Sequence, residues 1–242
     1  MSNTSQIKNR ILAALPREEY ERLARESEEV QLAIGTILYD FDDPVTHVYF
    51  PNSDTIGSLL STTEHDTAVE IGVTGSEGLL GFSVLMGVET TPHRVLIQMT
   101  GTALKIKSSV VRREFKQGGR LHDLVLSYVH ALFTQASQTA LCNRLHPVEA
   151  RLARWLLAVR ERVQGDQFPI THEFMARMLG ANRATVSLTA ATIQQAGYIR
   201  YTRGKLTVLD VEGLEDVSCE CYRIVKTRYD DILNGKRLSE RF

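Results

Sequence analysis

The sequence predicts an α+β chain: an N-terminal antiparallel β-barrel of jelly-roll type, then a long helix, then a C-terminal winged helix-turn-helix. Three observations predict it. Short β-prone runs separated by turn chemistry recur from Val30 to Ile106, as in antiparallel sandwiches and barrels. Apolar residues repeat at helical spacing from Leu121 to about Asn143. From Thr171 to Leu209 two short helical patterns, split by a glycine, lead into a hairpin signal.

Taken in order, Ile7, Ile11, Leu12 and Leu15, then Tyr20, Leu23 and Ala24, predict short helices broken at Pro16. The strands expected are Val30–Ile34, Thr36–Tyr39, His47–Phe50, Thr55–Leu60, Ala68–Val73, Val95–Met99 and Thr102–Ile106. Gly35, Asp42-Asp43-Pro44, residues 51–54, residues 64–66 and Thr100-Gly101 supply the turns. An irregular apolar stretch, Gly75 to Arg94, interrupts the strands; a loop of that length is usually functional or holds a short helix.

The long helix has two apolar faces. Leu121, Val125, Tyr128, Leu132, Gln135, Thr139 and Cys142 alternate spacings of four and three, a heptad seam. Leu126, Val129, Phe133, Ala136 and Ala140 form the second face. A helix of this kind packs on its own domain and on a partner. The seam from Leu121 to Thr139 is expected to be the dimer interface. His146-Pro147 then marks a hinge, because proline disfavours helix in the residue before it. A helix over Val148–Val163 and a short strand at Phe168-Pro169-Ile170 follow.

In THEFMARMLGANRATVSLTAATIQQAGYIRYTRGKLTVL, Phe174, Met175, Met178 and Leu179 keep helical spacing until Gly180 ends the first helix. Asn182 caps a second helix carrying Val186, Thr189, Ala190 and Ile193. Gly197 ends it, and Arg203-Gly204 turns a hairpin between Tyr198–Tyr201 and Lys205–Leu209. Val211–Leu233 is expected to be one final helix.

Charge points to what this module meets. From Phe174 to Leu209 there is no Asp or Glu, while Arg177, Arg183, Arg200, Arg203 and Lys205 are all present. The whole chain of 242 residues has formal charge −1, so the basic character is local. Neutralising phosphates and releasing their counterions needs such a face. No apolar run is long enough to span a membrane. MSNTSQIKNR lacks the apolar core of a signal peptide, and three cysteines make no disulfide framework. A cytoplasmic protein is expected. No phosphate loop, zincin signature or nucleophile–base pair stands out, so no catalytic residue, cofactor or metal is assigned.

Motifs in this region resemble the Crp/Fnr family of bacterial transcription regulators: NRATVS (Asn182–Ser187) preceded by MARMLG, with HPVEARLARWLL before it and GYIRYTRGKLTVLD after it. The resemblance covers nearly the whole chain. It implies a cyclic-nucleotide-binding-like sensor domain (1–120), a dimerisation helix and hinge (121–145) and a DNA-binding domain (146–242). It further implies a homodimer on a palindromic site in double-stranded DNA, with recognition helices in major grooves about 34 Å apart, and RNA polymerase as a partner. Arg183 matches the family's base-reading arginine, Thr185 a phosphate-contacting threonine, and Ser187 a serine of the Fnr branch. Ala184 stands where a base-reading glutamate is usual, and Leu188 where a second basic reader is usual. Asn182, Thr189, Arg177, Arg203 and Lys205 complete the expected DNA-binding set, the last four from position or charge alone.

The family's cyclic-nucleotide signature is absent. Aligned on Gly81, Phe82 replaces the ribose-binding glutamate, and Pro92-His93-Arg94 replaces Arg-Ser-Ala. A phenyl ring accepts no ribose hydrogen bond, and proline offers phosphate neither charge nor N–H. Gly81, Phe82, His93 and Arg94 remain the candidate effector loop, for a small molecule other than a cyclic nucleotide. No cysteine precedes Cys142, so the iron–sulfur ligands of Fnr-like members are missing, and no spacing singles out His93 or His122 for haem. Cys219 and Cys221, if on one helix, point about 200° apart and cannot grip one ion; the role of the cysteines stays open. The expectation is a sequence-specific regulator. The rival is a small-molecule-binding subunit whose winged helix contacts a protein.

Overall fold

The computed structural model describes residues 7–233 except 53, 65 and 66. Residues 1–6, the tail from 234 and those three turn positions of the expected pattern lie outside the described residues.

Asn9 starts the first helix, α1 (Arg10–Ala13), by accepting the amides of Ile11 and Leu12 at 3.1 and 3.2 Å. Pro16 separates it from α2 (Arg17–Ala24). The strands follow as β1 (Ser27–Leu32), β2 (Ile37–Tyr39), β3 (His47–Pro51), β4 (Ile56–Thr62), β5 (Ala68–Thr74), β6 (Arg94–Met99) and β7 (Gly101–Lys107). The irregular stretch holds a 3-10 turn, Phe82–Met86. All expected strands are present, although β1 begins three residues before Val30. They form two antiparallel sheets, ordered β1-β7-β3 and β2-β6-β4-β5. Val48, Phe50 and Ile106 of the first share a core with Leu59, Val95 and Ile97 of the second.

The helix α3 (Ser108–Lys116) has no counterpart in the sequence reading; Val110, Val111 and Phe115 bury its inner face. Then come α4 (Arg120–Leu145), α5 (Val148–Val163), β8 (Gln167–Pro169), α6 (His172–Leu179), α7 (Arg183–Gln195), β9 (Ile199–Thr202) and β10 (Lys205–Val208). The single final helix is corrected: Val211–Leu233 is two helices, α8 (Val211–Val217) and α9 (Cys221–Leu233). Ser218 breaks them with an extended backbone, φ −71° and ψ 158°, and its hydroxyl donates to Glu215 O at 2.7 Å.

One strand explains how the two halves meet. Residues 56–60 of β4 are buried on both faces. A strand with no polar alternation is sandwiched between two layers. One layer is the β core. The other is the winged helix: Ile56, Leu60, Val73, Leu96 and Met99 join Leu152, Trp155, Leu156 and Val159 of α5 in a second core. That core continues through Met175, Met178, Val186 and Ile193. Gly180 lies against Val69 of β5; a Cβ there would sit 3.1 Å from Val69 Cγ2.

Buried polar contacts fix this docking. Arg162 of α5 donates from Nε to Glu77 Oε1 at 2.8 Å, with both side chains under a tenth exposed. Its guanidinium also lies 5.2 Å from the centre of the Tyr229 ring and donates to Ala158 O. Trp155 Nε1 donates to Glu70 Oε1 at 2.8 Å. The guanidinium of Arg151 donates to Leu179 O, tying α5 to the end of α6.

Two outcomes are expected. Glu77→Ala leaves Arg162 charged and buried without its carboxylate, so stability should fall by about 3–5 kcal/mol, read by urea denaturation. Burial pushes the Glu70 carboxyl up to about 7, whereas an unfolded glutamate titrates near 4.3. Between those values the folded state holds a proton that the unfolded state releases. The stabilisation is complete below the lower value and lost as pH rises through the upper one. Glu70→Gln should flatten that fall and raise stability at about pH 8 by about 2 kcal/mol, read from denaturation midpoints across pH.

Candidate nucleic-acid interface and effector cavity

Thr171 caps α6 by accepting the Phe174 amide at 3.1 Å, and Gly180 ends it at φ 57°, as its position in the sequence required. Asn182 caps α7 by accepting the Ala184 amide at 2.8 Å. Val186, Ala190 and Ile193 turn inward. Arg183, Ala184, Thr185 and Leu188 are left on the outer face, Leu188 being 72% exposed. The first turn of α7 has no acidic residue, so its free amides and Arg183 add their positive potential. Among the described residues Arg183 pairs with Glu173, at 3.6 Å, and both side chains are largely in water. Such a pair is worth little and leaves the guanidinium available.

The other expected contacts divide. Arg177, Arg203 and Lys205 are exposed, whereas Thr189 is half-buried. Ser187 is not presented outward: its hydroxyl lies 2.9 Å from His172 Nδ1, a part-buried contact that fastens α7 to α6. His172 stacks on Tyr201 of β9, ring centres 4.3 Å apart, and burial, then Arg183, hold it below its ordinary value. In the wing, ordered β8-β10-β9, Arg203 (φ 51°) and Gly204 (φ 77°) make the tight hairpin turn. Arg200 pairs in register with Thr207, so it shares a groove of about 330 Å³ with Arg203 and Lys205. Arg200 belongs to the basic set, and strand alternation is the signal that places it there.

The expected dimer seam faces the other way. Leu121, Val125 and Tyr128 are fully buried, and Leu132, Gln135 and Thr139 nearly so, within the single chain. Gly72 and Gly78 explain this. A Cβ on Gly72 would strike Leu132 and one on Gly78 would strike Tyr128, so α4 rests directly on β5 and the turn after it. The Tyr128 hydroxyl donates to Leu79 O at 3.0 Å, and Gln135 Oε1 accepts from Tyr229 at 3.0 Å. A side chain with no exposed surface has none to offer a partner. The second face holds the free apolar surface: Leu126 is 44% exposed and Phe133 72%, with Val129, Ala136 and Ala140 in the same 3–4 spacing.

Gly81, Phe82 and His93 do come together. With Leu59, Met86, Val88 and Val95 they line an apolar cavity of about 210 Å³. A second cavity, about 180 Å³, shares Leu59, Phe82 and His93 and reaches Val129 and Phe133 on α4. Ser83 Oγ and His93 Nδ1 are buried with no hydrogen-bond partner among the described residues, and burial lowers the basicity of His93. Arg94 does not join them. It points to Asp40, with Nε 3.0 Å from Oδ1 and Nη2 2.8 Å from Oδ2. The lining has no Lys or Arg.

Residues 150–217 match the family model of the Crp-like helix-turn-helix domain. No curated protein matches the sequence. Among similar solved structures, FixK2 from Bradyrhizobium japonicum is 12% identical with TM-score 0.69, covering 80% of this chain and 98% of FixK2. The c-di-GMP-responsive global regulator CLP of Xanthomonas campestris is 16% identical with TM-score 0.65, covering 80% of this chain and 99% of CLP. A CooA variant from Carboxydothermus hydrogenoformans is 16% identical with TM-score 0.63, covering 89% of this chain and 97% of CooA. The chain carries a Crp-like helix-turn-helix domain and has the fold of the Crp/Fnr transcription regulators: an antiparallel β domain, a long helix and a winged helix-turn-helix.

Proposed function

We propose that this chain is a sequence-specific, DNA-binding transcription regulator that acts as a cytoplasmic homodimer on a two-fold symmetric operator, where it meets RNA polymerase. The observation that carries this reading is the acid-free segment from Phe174 to Leu209, with the capped start of α7 and the basic wing groove both open to solvent. In this reading Arg183 enters the major groove and bonds guanine O6 and N7. Ala184 and Leu188 replace the family's usual readers with apolar surface, which suits thymine methyl groups. Arg177, Thr185, Arg200, Arg203 and Lys205 hold phosphates and set the register. Ser187 acts as an internal strut.

Dimerisation is assigned to the Leu126–Ala140 face. Phe133 borders both that face and the cavity beside His93. A ligand there would shift the interface only by favouring one packing of Phe133 over another. The lining calls for a neutral, largely apolar effector with a polar group for Ser83 and His93. An anion would find no cation among the lining residues.

Selection of bound sites from random duplex DNA tests the reading. Wild type should enrich a two-fold symmetric motif, with affinity falling steeply as salt rises. Arg183→Ala should relax one guanine per half-site, losing about 1–3 kcal/mol of discrimination. Salt-insensitive binding without a motif would favour the protein-contact alternative. Phe133→Asp should weaken self-association by at least about tenfold, read by sedimentation equilibrium, whereas Leu141→Asp, off the 3–4 stripe, should have a smaller effect.

A further inference from the structure

The three cysteines form a cluster of their own, separate from both cores: Cys142 and Cys221 are fully buried and Cys219 is 7% exposed. Cys142 lies in the last turn of α4, and His146 caps that helix four residues on, so both face one side. The break between α8 and α9 places Cys219 before α9 and Cys221 at its start. The divergence expected of two cysteines on one helix therefore does not arise. Cys142 Sγ is 3.5 Å from Cys219 Sγ, and Cys221 Sγ is 3.7 Å from His146 Nδ1. All four ligand atoms lie within 4.8 Å of one another.

The 3.5 and 3.7 Å separations match the edges of one tetrahedral ion's ligand set, and the 4.8 Å limit on the others leaves them to close around it. With metal–sulfur bonds of about 2.3 Å and metal–nitrogen bonds of about 2.0–2.1 Å, neighbouring ligand atoms sit about 3.5–3.8 Å apart. A two-iron cluster needs thiolates on opposite irons further apart than this group allows. His146 Nε2 lies 3.5 Å from Glu220 Oε1, the carboxylate–imidazole–metal arrangement that fixes a ligating histidine. Cys221 borders a cleft of about 220 Å³ between α5 and α9, and His146 is only half-buried, so an ion has a way in.

We propose that Cys142, His146, Cys219 and Cys221 bind one zinc ion in a closed, four-coordinate site at the His146-Pro147 hinge. Three thiolates and an imidazole select zinc over the hard cations. Binding releases the thiol protons to solvent and ties the α8–α9 junction to the end of α4. The ion thereby sets how the winged helix leaves the long helix. The site stands on its own geometry and does not depend on DNA binding.

The test uses the full chain, purified with zinc and kept reduced. Elemental analysis should give one zinc per chain. After chelator treatment, Co²⁺ titration should saturate at one equivalent, with thiolate-to-cobalt charge transfer and visible bands of tetrahedral strength. Cys219→Ser combined with Cys221→Ser should abolish the charge transfer. Glu220→Gln alters only a carboxylate that is mostly in water and should weaken metal affinity about tenfold. Its circular dichroism should match wild type. Metal removal should raise amide exchange in residues 142–148 and in α9. No stoichiometric metal on folded, reduced wild type would overturn the proposal. So would cobalt uptake unchanged by the double substitution.

Discussion

The packing of α5 against the β4–β5 side of the sheet is the constraint on which the rest depends. Residues 56–60 of β4 are buried on both faces, with Ile56, Leu59 and Leu60 supplying apolar surface that the sheet cannot leave in water. Trp155, Leu152 and Leu156 cover it. The Arg162–Glu77 and Trp155–Glu70 bonds then select one geometry among those that hydrophobic contact alone would allow. Burying such an ion pair adds little net stability, but separating it is costly, because each half would remain buried and charged. The winged helix is thus held to its own β domain by groups that tolerate few alternative arrangements.

From that docking the placement of the other elements follows. With α5 on one side of the sheet, α4 crosses β5 at Gly72 and the turn after it at Gly78, where missing side chains admit Leu132 and Tyr128. The inner face of α4 is then filled, and the apolar residues left over are Leu126, Phe133 and their neighbours. The same crossing brings Val129 and Phe133 to the edge of the cavity lined by Phe82 and His93. Cavity wall, outer helix face and the junction with α5 at His146-Pro147 therefore follow one another along α4. A ligand, a second subunit and a metal ion would each act on α4 at a different point.

Much of the winged helix-turn-helix was legible in the sequence because its determinants are local. Gly180 stops α6 by adopting a left-handed φ, Asn182 caps α7, and Arg203-Gly204 closes the wing. The missing acids are a property of composition and needed no coordinates. The strands were legible for the same reason, since turn chemistry separates them. Less legible were features set by what lies opposite. Ser187 occupies a motif position yet bonds His172. Arg94 sits in the expected effector loop yet is bound by Asp40, 54 residues away in sequence.

What the sequence by itself determined is the order and type of elements, the caps and turns, and the basic face, because each depends on residues close in the chain. Which face of α4 turns inward was decided only in three dimensions. Both faces carry the same 3–4 apolar repeat, and the choice rests on Gly72 of β5 and Gly78 of the turn after it. Tertiary structure likewise decided that three cysteines and a histidine converge. Ser218 ends α8, so Cys219 lies in the α8–α9 junction and Cys221 starts α9; the packing of α9 against α4 brings both to Cys142 and His146. Periodicity along one chain fixes which residues share a face; contact between distant segments fixes what that face meets.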